Sequence, residues 1–303
     1  MNTDKYKVLL FYNYKKINNV DEFKSEHLFF CKDKDLKGRI IISTEGINGT
    51  LSGNYSDCDS YINFIKSYNF LKDTEFKIDN CDFHLFPKMS IKIRNSLINI
   101  NRDDLDPLIS TGKHISSKEF LNAMKEENTV IVDMRSNYEH NVGKFKNAVT
   151  FDIKHFLTLE DSIKNSDFNT EENKNKKILT YCTGGIRCEK ASSLLLKLGY
   201  NNVYQLDGGI IKYSKEVGGE NFDGKCYVFD DRITIDVNKV NPKIISKCYI
   251  CNCVEDTMVN CMNTRCNRHT TICQKCYLKM NGCCSYNCKY SKYKRPIQQI
   301  YHK

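Results

Sequence analysis

Two groups of residues in this chain have types and spacings suited to chemistry. The first is a glycine turn around a cysteine, Tyr181-Cys182-Thr183-Gly184-Gly185-Ile186-Arg187-Cys188. It follows the apolar run Ile178–Tyr181. It precedes Cys188–Leu198, which places Ala191, Leu194, Leu195 and Leu198 on one helical face. A strand, a tight turn and a helix in that order bring backbone N–H groups and the positive end of the helix to one point. A cysteine held there has a lowered pKa and is a nucleophile at neutral pH. Arg187 adds a cation. Four residues separate Cys182 from Arg187. Cysteine phosphatases use a longer loop, so this one suits an anionic persulfide better than a tetrahedral phosphate. The competing reading is a buried cysteine at a strand end, with Gly184 and Gly185 serving only the turn.

The second group is a set of cysteines. Of sixteen in the chain, ten lie between residues 248 and 288. No export signal opens the sequence, and the apolar run Lys7–Tyr12 is too short for a signal core or a membrane span. A cytoplasmic protein with no membrane partner is therefore expected, and cysteines there serve metals or catalysis, not disulfides. Cys248-x-x-Cys251 and Cys273-x-x-Cys276 are two hooks of the kind that supply a tetrahedral zinc site. Ten cysteines and His269 could fill two structural Zn2+ sites. The expected pairing is Cys248, Cys251, Cys273 and Cys276 around one ion. Cys261, Cys266, Cys288 and either Cys283 or Cys284 would surround the other. Reduced free thiols and an iron–sulfur cluster are the alternatives.

Three segments must position these groups. Residues 1–100 run strand, helix, strand, strand, helix, strand, which fits a ferredoxin-like plan. The strands are expected at Tyr6–Tyr12, Gly38–Ser43, Ile47–Ser52, Glu75–Ile78 and Ile91–Ile100. The helices are expected at residues 21–34, capped by Asn19 or Asp21, and after Ser56. Residues 101–115 read as a linker. Residues 116–222 alternate strands at Val130–Asp133, Ala148–Phe151, Ile178–Tyr181 and Val203–Leu206 with helices, the pattern of a parallel, doubly wound α/β sheet. The polar stretch 164–176 reads as a mobile insertion. Residues 223–303 hold the cysteine module. The fold class is thus multidomain, α/β and α+β.

Residues 241–303 hold eleven Lys or Arg against two acids, a net +9 equal to that of the whole chain. This favours a polyanionic partner, although eight thiolates on two zinc ions would subtract about four charges. Tyr286, Tyr290, Tyr293 and Tyr301 interleave with Lys289, Lys292, Lys294 and Arg295, a composition that suits single-stranded RNA. A solvated tail is the plain alternative.

Asp133-Met-Arg135, Tyr138-Glu139, Gly143–Ala148, the Cys182 loop and Tyr204–Ile210 together resemble a rhodanese domain. The resemblance implies that Cys182 carries sulfur, with Arg187 beside it. Asp133, Arg135, Gly184 and Gly185 would support the site, though Asp133 and Arg135 also suit a structural ion pair. Cys188 is either a resolving thiol or a packed first-turn residue. Gly38–Thr50, Cys182–Ala191, Val228-Phe-Asp-Asp231-Arg232 and the terminal cysteines extend the resemblance to the tRNA uridine hydroxylase family over nearly the full length. That likeness implies oxygen-dependent conversion of the wobble uridine of tRNA to 5-hydroxyuridine. It brings tRNA as partner, O2 as co-substrate and a sulfur or electron donor. No flavin or nicotinamide site is visible. Glu45 and Asn48 stand in a stretch that either touches substrate or only turns a hairpin, and Lys289, Lys292 and Arg295 are candidate RNA contacts. A plain rhodanese sulfurtransferase is the alternative activity.

Overall fold

Val8, Leu9 and Phe11 are buried along one strand, and their sheet sits over Phe23, Tyr61 and Ile65 of two helices. In the computed structural model, which describes residues 5–295, this first unit comprises β1 (Tyr6–Tyr14), α1 (Val20–Cys31), β2 (Leu36–Ser43), β3 (Gly46–Gly53), α2 (Tyr55–Ser67), β4 (Phe76–Cys81) and β5 (Met89–Ile93). The sheet order is β4-β1-β3-β2-β5. Its first four strands pair antiparallel in the expected ferredoxin-like order, and β5 joins parallel to β2. The Asn19 side chain accepts the Glu22 N–H and caps α1. Asn54, not Ser56, caps α2 by accepting from Asp57. The strand expected to reach Ile100 stops at Ile93. Beyond it Leu97 and Ile100 bury their side chains one at a time from irregular backbone, so apolar residues there signal anchoring, not pairing.

The second unit comprises β6 (Lys113–Ile115), α3 (Ser117–Ala123), β7 (Thr129–Asp133), α4 (Asn137–His140), β8 (Gly143–Phe145), β9 (Val149–Thr150), α5 (Leu159–Lys164), α6 (Glu171–Asn175), β10 (Lys177–Tyr181), α7 (Ile186–Lys197), β11 (Asn202–Leu206) and α8 (Gly209–Val217). Its sheet, β6-β11-β10-β7-β9, is wholly parallel. Alternate residues enter opposite cores: Val132 and Ile178 face the α7 side, Ile131 and Leu179 the α3 and α8 side. A sheet buried on both faces is the doubly wound arrangement expected. The capping box of Ser116 and Glu119 starts α3.

Two boundaries differ from the sequence reading. The stretch read as linker ends in β6 and sends Leu105 into the second core, beside Ile100 from just before it. The stretch read as a mobile insertion is ordered. Phe168 is buried and stacks on Tyr200 at 5.0 Å between ring centroids, and Thr170 caps α6. An aromatic anchor and hydrogen bonds from Asn201 and Asn202 to Lys174 and Asn175 tie this polar segment to the second unit.

The last unit holds β12 (Phe222–Tyr227), β13 (Thr234–Asp236), β14 (Met258–Asn260), β15 (His269–Thr271), α9 (Gln274–Met280) and α10 (Tyr286–Lys289). Strand β12 pairs with both β8 and β13, tying this unit to the second. Beyond β13 the apolar core is small and built largely of cysteine. No helix among the described residues is long and apolar enough to cross a membrane.

Candidate active site and metal centres

Cys182 sits between the C-terminal end of β10 and the start of α7 and is wholly buried. The Gly185 N–H donates to its Sγ at 3.1 Å. Gly185 has φ of +102°, and a Cβ there would lie 2.9 Å from the Tyr12 hydroxyl. A Cβ on Gly184 would lie equally close to Leu10. The loop is therefore glycine both to curl and to admit the neighbouring domain, since β1 lies directly over it.

Burial raises the Cys182 thiol pKa. The hydrogen bond from Cys188, the Arg187 charge and the backbone N–H groups of Arg187 and Gly185 outweigh burial and bring it down to about 6. Cys188 is driven upward by its own burial and by the same bond. The pair is thus a thiol donating to a thiolate.

Arg187 is already paired with a buried carboxylate. Its Nη1 and Nη2 donate to Glu139 Oε2 and Oε1 at 2.6 and 2.8 Å, and both residues are buried. Arg135 and Asp133 form a second buried pair, at 2.9 and 2.7 Å. Tyr181 donates to Asp133 at 2.6 Å, and Arg135 donates to the Gly143 carbonyl. This pair joins β7, β8 and β10 beneath the loop, which is the structural reading of these two residues.

Helix α7 also carries the domain junction. Glu189 is buried and accepts from Tyr12 of β1 at 3.0 Å and from Gln205; it also bonds His114. Lys190 pairs with Glu45 at 2.8 Å, and Leu97 N–H also bonds Glu45. Glu45 therefore latches two domains together, while Asn48 lies half-buried in β3 opposite Tyr12.

The C-terminal cysteines gather into two four-thiol groups: Cys248, Cys251, Cys273 and Cys276; and Cys261, Cys266, Cys284 and Cys288. In each, all four sulfurs lie within 4.8 Å of one another. Zinc–sulfur bonds of about 2.3 Å in a tetrahedron put sulfurs about 3.8 Å apart. The Cys251–Cys273, Cys266–Cys284 and Cys284–Cys288 separations are 3.7, 3.7 and 3.9 Å, so the donor sets fit such an ion. Cys284 takes the fourth place left open between it and Cys283, whose thiol turns to the Asn281 carbonyl. His269 joins neither set; its Nδ1 lies 2.8 Å from the Tyr227 hydroxyl.

The tail residues bond within their own module. Lys289 donates to the Lys279 carbonyl, and Lys292 lies over Tyr293. The Arg295 side chain bonds Asn267. Tyr301 lies outside the described residues.

Three family profiles match in series. They are the UPF0176 acylphosphatase like domain over residues 6–97, a Rhodanese-like domain over 116–216 and the Rhodanase C-terminal family over 223–289. The curated tRNA uridine(34) hydroxylase of Cytophaga hutchinsonii is 48% identical over 96% of this chain and 92% of its own length. The chain belongs to the tRNA uridine(34) hydroxylase family. Relatives of that name from Acholeplasma laidlawii and Staphylococcus haemolyticus are 43% and 45% identical. They cover 94% and 93% of this chain, and 89% and 88% of their own lengths.

In this hydroxylase family member the sequence reading missed three site residues. Glu139 was quoted only as part of a motif, although the Ser136-x-x-Glu139 capping box marks it as a carboxylate with a fixed place. Glu189 and Tyr12 gave no local signal, because their contact spans 177 residues of chain.

Proposed function

We propose that this protein hydroxylates C5 of uridine 34 in tRNA, with Cys182 as its reactive residue. The observation that carries this reading is the buried Cys182 sulfur, which accepts the Gly185 N–H at the end of β10, in a chain 48% identical to a curated tRNA uridine(34) hydroxylase. The substrate is tRNA, and the compartment is the cytoplasm. Inserting one oxygen atom from O2 at a uracil carbon consumes two electrons and two protons from an external donor and releases water. Cys182 supplies a nucleophilic sulfur. Arg187 and Glu139 fix the loop, and Asp133 with Arg135 holds the strand ends beneath it. The two four-thiol groups hold structural Zn2+, which supplies folding energy and no chemistry at Cys182.

The test is nucleoside mass spectrometry of tRNA from cells lacking the protein, complemented with wild type or Cys182→Ala. Wild type is expected to restore 5-hydroxyuridine and its derivatives, whereas the variant leaves activity reduced at least about 10³-fold. Unchanged 5-hydroxyuridine in the deletion strain would sink the reading.

The Gly185 N–H bond to Sγ and the short loop also favour a second reading, a sulfurtransferase passing a Cys182 persulfide to an acceptor. Thiosulfate-treated protein would then release sulfur to cyanide, and Cys182→Ala would not. Absence of releasable sulfur from the wild type counts against it.

A further inference from the structure

The motif Val228-Phe229-Asp230-Asp231-Arg232 is not used by the Cys182 loop, yet it stands beside it. It borders a cleft of about 930 Å³ formed where the three units meet, large enough for a nucleoside. One wall is aromatic. Tyr227 packs edge-on to Tyr138 at 5.1 Å and to Phe229 at 5.1 Å, and His269 from the cysteine module closes the group. Phe229 is half exposed despite its size.

This wall backs directly onto the catalytic loop. The Arg187 guanidinium lies 5.6 Å from the Phe229 ring, and Thr183 Oγ1 lies 3.4 Å from the Tyr227 carbonyl oxygen. A second, narrow cavity of about 50 Å³ runs between Phe229, Arg232 and Thr183. Arg187 and Thr183 of the Cys182 loop thus touch the side of Phe229 and Tyr227 that backs the cleft.

Arg232 is held by Asp230 at 2.8 and 2.7 Å and also reaches Asp79. Asp231 and Arg39 both line the cleft and interact electrostatically with each other, and the Arg39 guanidinium lies 5.8 Å over the Phe86 ring. Ile233 closes the turn at φ of +63°, a left-handed conformation that is strained for a β-branched residue. Such strain persists where the surroundings over-determine it, commonly at ligand sites. Asp230, Asp231 and Arg232 of this turn all line the cleft, the outer two bonded to each other.

We propose that this cleft binds the uracil of the target nucleotide, swung out of the anticodon loop, stacked on Phe229 and read by Asp231 and Arg39. Uracil presents acceptor, donor and acceptor along its pairing edge. A carboxylate accepts from its N3–H, and a guanidinium donates to a flanking carbonyl oxygen. Cytosine has an acceptor at N3 and meets the carboxylate with repulsion. Stacking on aromatic faces is the usual way an unpaired RNA base is held. The inference rests on the tRNA hydroxylase reading, and its test is separable from it.

The experiment uses full-length protein and a tRNA transcript carrying photoreactive 5-bromouridine at position 34, with adducts mapped by peptide mass spectrometry. Turnover is not required for the adduct. Cross-links to Tyr138 or to residues 227–233 are expected. Phe229→Ala should raise KM for tRNA roughly tenfold with kcat less affected, and Phe229→Tyr should restore it. Asp231→Asn should narrow the preference for uridine over cytidine at position 34 by about tenfold or more in competition binding. Cross-links elsewhere, no cross-link, or unchanged KM and preference in both variants overturn the proposal. Hydroxylation of unmodified tRNA by the wild type, scored in the same preparation, decides the broader reading independently.

Discussion

Cysteine occupies two different settings in this chain, and the contrast between Cys182 and the C-terminal cysteines lies in what surrounds the sulfur. Cys182 is enclosed by a parallel sheet, two helices and a neighbouring domain, and its charge is held by one thiol, backbone N–H groups and a nearby guanidinium. The eight thiols of the two clusters sit in a unit whose core is little more than those thiols with Val259, Ile272, Tyr277 and Met262. The first environment exists without the cysteine and tunes it. The second is formed by the cysteines themselves, whose two four-thiol groups have the geometry to hold an ion where the hydrophobic core is small.

The largest test of this contrast is metal removal. Two zinc ions per chain are expected by elemental analysis, each contributing folding energy on the order of 10 kcal/mol. Chelation should abolish hydrogen-exchange protection over residues 248–295 and leave it intact over 129–206. Equal loss in both regions would erase the distinction.

Next in size is Glu139→Gln. It leaves the buried Arg187 charge unpaired and should destabilise the second unit by about 3–5 kcal/mol, read as a fall in denaturant midpoint. Metal content should stay at two ions.

A smaller effect concerns titration. Thiolate absorbance that disappears in Cys182→Ala should rise with a midpoint near pH 6 in the otherwise native protein. The shift is downward from an ordinary thiol pKa, so the anion is present above about pH 6 and is lost as pH falls through that value. Cys188→Ala removes the strongest stabilising bond, so the midpoint should move up toward that of an ordinary thiol. An unmoved midpoint would assign the effect to Arg187 and the backbone instead.

The smallest is Cys283→Ser. Its thiol bonds a carbonyl and lies outside both four-thiol groups. Two ions should remain bound, with a stability loss of about 1–2 kcal/mol from placing a hydroxyl in this buried site. Loss of one ion would move Cys283 into the ligand set.

Local chemistry explains which features were legible beforehand. The Cys182 turn, the Ser116 capping box, the paired cysteine hooks and the alternation of strands with helices each lie within a few residues, where spacing alone carries the information. The stretch 164–176 misled because composition averages over a segment, while the Phe168 side chain and hydrogen bonds from Asn201 and Asn202 tie it down. Asp133 and Arg135 left two readings open because a charged pair near a site has the same composition whether it faces substrate or the core. Burial of both residues, with Tyr181 on the carboxylate, identifies the pair as core.

By itself, then, the sequence determined the three-unit organisation, the cysteine loop at the end of a parallel strand and the two sets of clustered thiols. Each follows from short-range periodicity, turn chemistry or ligand spacing. Only the tertiary structure decided that Glu139 occupies Arg187, that Glu45 and Tyr12 clamp the first domain onto α7, that Cys284 completes the second cluster, and that an aromatic cleft lies behind the Cys182 loop. These depend on which side chains meet across tens to hundreds of residues. Such pairing is set by packing of whole elements and leaves no mark in the spacing of neighbours.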